Sequence, residues 1–341
     1  MYLSEDKINK LFLNWLKGTL LLVFSIIIIG GLTRLTNSGL SITVWELFAG
    51  VFPPLNENSW IDYFNQYKKI PQYKILNFDM SLSEFKVIFY WEYVHRVFAR
   101  FIGIFFLIPL IYFYFSKKIK NNYMNICYLI FSLILFQGII GWYMVKSGLV
   151  NDISVSHYRL SIHLITAIFI ISLLFWLIKN VSSSSNKIFF SICKTNIPFL
   201  ILILLIFIQI ILGAFVSGLD AGKIYQTWPM MDKNYFPDDI NKESIKNFLD
   251  FDSHSLVQFY HRNIAYLIIL YVLFLTLFIY KRRLVNLYKP LKILLFFLIS
   301  QVILGILTLV SGLNIFLASI HQITGVLLVF SALNLYYLRT K

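Results

Sequence analysis

The chain has 341 residues, of which 58% are hydrophobic and only 13% are charged, whereas soluble domains carry closer to ~25% charged residues. The apolar residues lie in long blocks, which excludes an ordinary soluble domain and indicates a multispan membrane protein. The net charge of +14 does not indicate nucleic-acid binding, because most Lys and Arg residues lie in short connections between the apolar blocks.

Taken in chain order, eight apolar segments each come near the ~20 residues that a spanning helix needs. We predict them at 16–35, 88–115, 123–145, 159–179, 196–217, 256–280, 288–310 and 315–338. Short basic connections alternate with longer ones of mixed charge, so the positive-inside rule places both termini in the cytoplasm. The long connections 37–87 and 218–255 then lie outside. The N-terminal residues show neither a cleavable signal nor a transit peptide, which favours a bacterial inner membrane.

The two halves of the chain repeat the same residues in the same order. His95 and Arg96 recur as His261 and Arg262, and the further matches are Gly30 with Gly213, Gln137 with Gln301, Gly141 with Gly305 and His163 with His321. We therefore predict an all-α integral membrane protein, with eight transmembrane helices in two pseudo-symmetric four-helix bundles formed by a tandem repeat. The bundles are predicted at 1–183 and 184–341, with a Ser-rich linker at their junction.

Four of the six histidines lie inside apolar segments, one in each of segments 2, 4, 6 and 8: His95, His163, His261 and His321. All four are predicted at a similar depth, within about two turns of the outer helix ends. Two imidazoles from facing helices suit the two axial positions of a haem iron, whereas zinc or copper needs a third or fourth donor. His157 and His254 are predicted to be surface residues in outer loops.

Segment 2 carries ionisable residues that are costly in a membrane and therefore indicate a function. Glu92, Arg96 and Arg100 are spaced four residues apart, on one stripe of the helix that carries His95. We predict that Arg96 and Arg100, with Arg262 in the second half, pair with haem propionate carboxylates. An ion pair between Glu92 and Arg96 is the structural alternative.

The two predicted sites are unequal, because Gln258 stands in the second half where the first half has Glu92. A carboxyl group beside a haem can move protons or stabilise a cationic intermediate, whereas an amide does not titrate. The sequence therefore predicts chemistry in the first half, and electron transfer or structural haem binding in the second.

Six stretches contain the repeated histidines, glycines and their neighbours: 30–41, 92–96, 158–164, 213–222, 258–262 and 321–325. In their order and over nearly the whole chain, these stretches resemble the haem A synthase family, in the branch shared by alphaproteobacteria and mitochondria. Two departures stand out. The outer loops lack the cysteine pair that some bacterial members carry, and Ala99 stands where the family often has glycine.

The resemblance implies oxidation of the C8 methyl group of haem O to the formyl group of haem A, through successive hydroxylation and loss of water. It assigns the substrate haem to the first bundle, flanked by His95 and His163, and gives Glu92 a part in the chemistry. It also implies a haem b cofactor in the second bundle, with His261 and His321 as its iron ligands. The sites then lie toward the periplasmic leaflet.

The implied partner is a membrane haem O synthase, and the electrons go to an acceptor that the sequence does not identify. The sequence is also compatible with a homo-oligomer. The main alternative is a di-haem electron-transfer protein of the cytochrome b type, which Glu92 in one half only disfavours. A transporter is disfavoured because Pro109 is the only proline deep within a segment. A non-catalytic assembly scaffold is the third alternative, and it tolerates the loss of the Glu92 carboxylate.

Overall fold

The computed structural model describes residues 5–44, 49–149, 153–240 and 245–340. The α-helices among them are α1 (Glu5–Leu35), α2 (Glu57–Tyr67), α3 (Pro71–Leu76), α4 (Leu82–Ser116), α5 (Asn121–Gly148), α6 (His157–Ser182), α7 (Ile197–Gly218), α8 (His254–Lys281), α9 (Tyr288–Val310) and α10 (Ile315–Arg339). All except α2 and α3 belong to the eight candidate spans, which are long and apolar enough to cross a membrane. No β-strand occurs in these described ranges, so the all-α prediction is confirmed.

Two helices begin well before their predicted segments: α1 begins at Glu5 rather than near residue 16, and α4 begins at Leu82 rather than near residue 88. The start of α4 is fixed by a capping box, in which the Glu84 carboxylate accepts a hydrogen bond from the Ser81 backbone nitrogen at 2.8 Å. His95 therefore lies between three and four turns from the first residue of its helix, and the prediction of about two turns was wrong for it. The other three intramembrane histidines do lie within two turns of the first residue of their helices.

The chain divides into two compact units, Met1–Val181 and Ser182–Lys341. In the first unit, α4 packs against α1 and α5, and Tyr123 of α5 donates a hydrogen bond to the Asn180 carbonyl of α6. In the second unit, α8 and α10 each pack against both α7 and α9, so that the four helices form a closed ring. Each unit thus brings the two helices that carry its histidines into one bundle.

The long connection between α1 and α4 is folded over the beginning of α4. Aromatic residues of α2 stack on α4, with ring centroids 4.9 Å apart for Trp60 and Phe89 and 5.0 Å apart for Phe64 and Phe85. These side chains form a buried cluster that also includes Ile42. The described part of the connection therefore forms a cap, which brings its own backbone to the N-terminal half of α4.

Candidate functional site

Each intramembrane histidine packs its ring against a glycine on the preceding long helix. A Cβ atom added at the glycine would lie very close to the ring carbon Cε1: 3.0 Å for Gly30 and His95, 3.3 Å for Gly141 and His163, 3.1 Å for Gly213 and His261, and 3.0 Å for Gly305 and His321. Ordinary van der Waals contacts of a Cβ are longer than this. Glycine is therefore required at each of these four positions, where an imidazole lies against the neighbouring helix backbone. The sequence identified these glycines only as matching positions of the repeat.

The glycines also set the depth of the four rings. Gly30, Gly213 and Gly305 each lie five residues before the last residue of their helices, and Gly141 lies seven residues before the end of α5. The rings are thus held at a similar distance from the ends of α1, α5, α7 and α9. This holds for His95 as well, although α4 itself extends further.

The four histidines form two pairs, one in each unit. His95 lies close enough to His163 to interact with it electrostatically, and His261 interacts with His321 in the same way. In all four rings, Nδ1 is buried without a hydrogen-bond partner in the described part of the chain. The other ring nitrogen, Nε2, lies 3.3 Å from the Gln209 amide nitrogen in His261 and 3.5 Å from the Gln301 amide nitrogen in His321, contacts that a ligand bound to Nε2 would replace.

This donor set suits a haem better than a bare metal ion. No cluster of three or more His, Cys, Asp or Glu side chains that could hold a metal ion occurs within the described ranges, and tetrahedral zinc requires at least three such protein ligands. Two paired imidazoles provide instead the two axial ligands of one haem iron. The glycine contacts are compatible with a haem ligand, because they would fix the orientation of each imidazole ring relative to an iron.

Three of the four histidines also contact a glutamine on the helix that supplies the glycine. The amide nitrogen of Gln137 lies 2.8 Å from the His163 carbonyl oxygen, that of Gln209 lies 3.0 Å from the His261 carbonyl oxygen, and that of Gln301 lies 3.5 Å from His321 Nε2. Each glutamine precedes the contacting glycine by four residues and so shares its helix face. The sequence identified Gln137 and Gln301 as matching positions of the repeat, but it did not predict a role for them.

The Glu92 carboxylate is buried, with 3% of its surface exposed, and it accepts four hydrogen bonds. Oε2 accepts from the Ser41 hydroxyl at 2.7 Å and from the Ile42 backbone nitrogen at 2.8 Å. Oε1 accepts from Arg96 Nε at 3.0 Å and from Arg96 Nη2 at 2.5 Å. The ion pair considered from the sequence is therefore present, and Ser41 and Ile42 of the cap complete the environment of the carboxylate.

The second unit builds the same arrangement around an amide. Gln258 is also 3% exposed, and it donates to the Tyr225 carbonyl at 3.1 Å while accepting from Arg262 at 3.2 Å. Arg262 donates to the Tyr225 carbonyl at 2.9 Å, as Arg96 donates to the Ile42 carbonyl at 2.9 Å. The two units therefore share a scaffold and differ in whether it contains a titratable group.

Two arginines lie near the middle of α4. Arg100 donates to the Gly50 carbonyl at 2.9 Å, and Arg96 and Arg100 both line a cavity of about 20 Å³ with Tyr93 and Phe89 among its walls. Such a volume holds about one water molecule. The structure thus brings Glu92, Arg96 and Arg100 together on one side of α4, as their spacing predicted.

The two remaining histidines differ from each other. His254 is the exposed first residue of α8, which agrees with the predicted surface position. The prediction for His157 was wrong, because this residue is buried with 6% of its surface exposed. It is the first residue of α6, and its ring centroid lies 4.0 Å from that of Tyr158. Its burial is a tertiary effect that no local pattern indicates.

The fold and the site together define a multispan membrane protein whose two units each present a facing pair of imidazoles suited to haem. A family model described as cytochrome oxidase assembly protein matches residues 13–333. The chain belongs to this family.

Curated relatives cover almost the whole chain. The chain is 46% identical over 339 residues to the haem A synthase of Pelagibacter ubique (strain HTCC1062), which covers 97% of both chains. It is 42% identical over 311 residues to the haem A synthase of Bartonella tribocorum, covering 90% of this chain and 86% of the relative. It is 41% identical over 326 residues to that of Rickettsia felis, covering 94% and 95%. The resemblance recognised in the sequence is therefore confirmed.

Proposed function

We propose that this protein oxidises the C8 methyl group of haem O to the formyl group of haem A, for the assembly of terminal oxidases. The observation that carries the proposal is the combination of two facing imidazole pairs with a buried carboxylate beside only one of them. The family and the names of the relatives support the same reaction. A di-haem electron carrier has no use for this asymmetry.

The substrate haem is assigned to the first unit. His95 and His163 bind its iron through Nε2, and the glycine contacts fix the planes of their rings. Arg96 and Arg100, near the middle of α4, hold its propionate groups through charge-assisted hydrogen bonds, which are strong between guanidinium and carboxylate groups. Glu92 then lies one helical turn from the iron ligand His95, on the side where the reaction takes place.

The role of Glu92 follows from its hydrogen bonds. Each hydroxylation removes two electrons from the methyl carbon, and the second gives a hydrated aldehyde that loses water, so protons must leave the site. Glu92 is the buried carboxylate beside this pair and can take up a proton when one of its four hydrogen bonds opens. The Ser41 contact rearranges most readily, because rotation about a single bond turns its hydroxyl hydrogen away.

The second unit is assigned a haem b cofactor, which supplies electron transfer when it is bound. His261 and His321 would hold its iron, within the unit whose four helices form a closed ring. Arg262 pairs with a propionate while it keeps its bond to the Tyr225 carbonyl. Gln258 leaves this site without a titratable group, which suits a relay that does no chemistry on its haem.

We also propose the bacterial inner membrane as the location, with both termini in the cytoplasm. The glycine-bearing ends of α1, α5, α7 and α9 then face the periplasm, and both haem sites lie in the outer leaflet. Haem O carries an apolar farnesyl tail, so a membrane haem O synthase is the natural donor of the substrate. The electrons leave to a separate acceptor.

Extraction of the pigments from the purified protein tests the function. We expect haem B together with haem O, haem A or a hydroxylated intermediate, separated by chromatography, because the two units hold different haems. Haem B alone, at two molecules per chain, would support the electron-carrier alternative. A protein without haem would contradict both assignments.

The glycine contacts predict a difference between two alanine substitutions in α5. Gly141→Ala places a Cβ 3.3 Å from His163 Cε1, whereas the added Cβ of Gly138→Ala has no neighbouring atom within 4 Å. Both variants gain the same helix propensity, so their difference isolates the ring contact. We expect Gly141→Ala to be less stable than Gly138→Ala by roughly 1 kcal/mol and to retain less substrate haem. Thermal unfolding and haem content measure this, and equal values would remove the proposed role of the contact.

A further inference from the structure

Ile26 interrupts a pattern that the other three histidine-bearing helix pairs share. In those pairs a glutamine lies four residues before the glycine that touches the imidazole: Gln137 before Gly141, Gln209 before Gly213 and Gln301 before Gly305. The same position relative to Gly30 is Ile26, a half-buried residue without a hydrogen-bonding side chain. An isoleucine side chain cannot donate the hydrogen bond to the neighbouring helix that a glutamine amide donates from this position.

The glutamines tie each histidine to the neighbouring helix. The Gln209 amide nitrogen lies 3.0 Å from the His261 carbonyl oxygen and 3.3 Å from His261 Nε2. Gln301 reaches the backbone of His321 through Thr324, whose hydroxyl oxygen lies 2.5 Å from Gln301 Oε1 and 3.1 Å from the His321 carbonyl oxygen. Interhelical bonds of this kind stabilise membrane bundles, and here they fix the helical turn that carries the imidazole.

The difference matters because an iron with two axial imidazoles has no position for another ligand. Chemistry at a haem needs an axial position that can open, whereas an electron relay keeps both ligands. In the first unit, Gln137 donates to the His163 carbonyl and Gly141 contacts the His163 ring, whereas His95 has the Gly30 contact and Ile26 in the place of the glutamine. His95 therefore lacks the amide bond that ties His163 to the neighbouring helix.

We propose that Ile26 makes His95 the exchangeable axial ligand, and that Gln137, Gln209 and Gln301 are positioning residues that keep the other three imidazoles on iron. In the exchange, the bond between His95 Nε2 and iron breaks, the incoming ligand takes the position, and no electron is transferred. The opened side is the one that carries Glu92, one turn away on α4. The assignment rests on the proposed haem in the first unit and specifies which of its faces reacts.

Binding of carbon monoxide to the reduced, purified, full-length protein tests the proposal. The protein is supplemented with haemin, so that the first unit is occupied whatever pigment it contains on isolation. We expect the first unit to bind carbon monoxide, and Ile26→Gln to weaken that binding by roughly 3- to 20-fold, because an added amide anchors His95. Leu22→Gln is the matched control, since it adds the same amide one turn earlier on the same face of α1, and it should bind as the wild type does.

The reverse substitution provides a second readout in the other unit. Gln209→Ile should let the haem between His261 and His321 bind carbon monoxide, which the wild-type pair resists. The proposal is overturned if Ile26→Gln binds as the wild type does, if Leu22→Gln weakens binding equally, or if Gln209→Ile remains inert. Pigment extraction tests the proposed function separately. If the first unit were isolated with haem B, the proposed haem A synthase activity would be contradicted, but ligand exchange at His95 could still be measured by carbon monoxide binding.

Discussion

Glu92→Gln is expected to stop haem A formation while both units remain folded and keep their haems. The amide has almost the same shape, and the second unit shows that a glutamine fits between the arginine and the outer connection, as Gln258 does beside Arg262. What is lost is the only buried carboxylate in the described ranges. Loss of a proton-transfer group costs about 10²- to 10⁴-fold in rate. The ratio of haem A to haem O in cells that depend on this protein measures the effect.

Glu84→Gln is the matched control for this substitution. It makes the same chemical change in the same helix, just over two turns earlier, where the Glu84 carboxylate only caps the exposed start of α4. Haem A formation should be unaffected there. Normal haem A production by Glu92→Gln would remove the carboxylate from the reaction and leave it as the partner of Arg96.

His261→Ala and His321→Ala are each expected to abolish the low-spin haem b spectrum. Each variant removes one of the two axial nitrogens of the second unit and leaves a cavity beside a glycine. Removing a group that only hydrogen-bonds to a metal ligand weakens metal binding roughly 10- to 100-fold. Removing an iron ligand itself should weaken haem binding at least as much. The measurements are the reduced-minus-oxidised spectrum and the haem B content of the purified variants.

His254→Ala provides the comparison, because it removes an exposed imidazole from the first residue of the same helix as His261. Its spectrum should match that of the wild type. If His261→Ala also kept the wild-type spectrum, the second pair would be structural, and the haem b would have to bind elsewhere.

The sequence predicted those parts of the site that follow from local periodicity. Glu92, Arg96 and Arg100 share a stripe because their spacing matches the helical repeat, and the histidines stood out because polar groups are rare in apolar segments. The extra turns at the start of α4 were missed because residues 82–87 are too polar to extend an apolar segment. The Ser81 and Glu84 capping box was nevertheless readable in the sequence.

Contacts between segments that are far apart in the sequence could not be predicted from local periodicity. Ser41 and Ile42 reach Glu92 across about fifty residues of sequence, through a cap whose path depends on aromatic packing. The glycine contacts likewise require knowledge of which helix faces which. The repeat did contain a signal for the glycine contacts. The matched histidines His95 and His261 are accompanied by the matched glycines Gly30 and Gly213, and the matched histidines His163 and His321 by Gly141 and Gly305.

The glycine contacts also divide each proposed haem site into two parts. Each of the four intramembrane imidazoles belongs to a two-helix element, in which one helix provides the flat glycine surface and a following helix provides the ring. A haem bound as proposed would be held by two such elements in each unit. Damage to one element would then remove one iron ligand and leave the other, so we expect coordination in each unit to be lost in steps, one helix pair at a time.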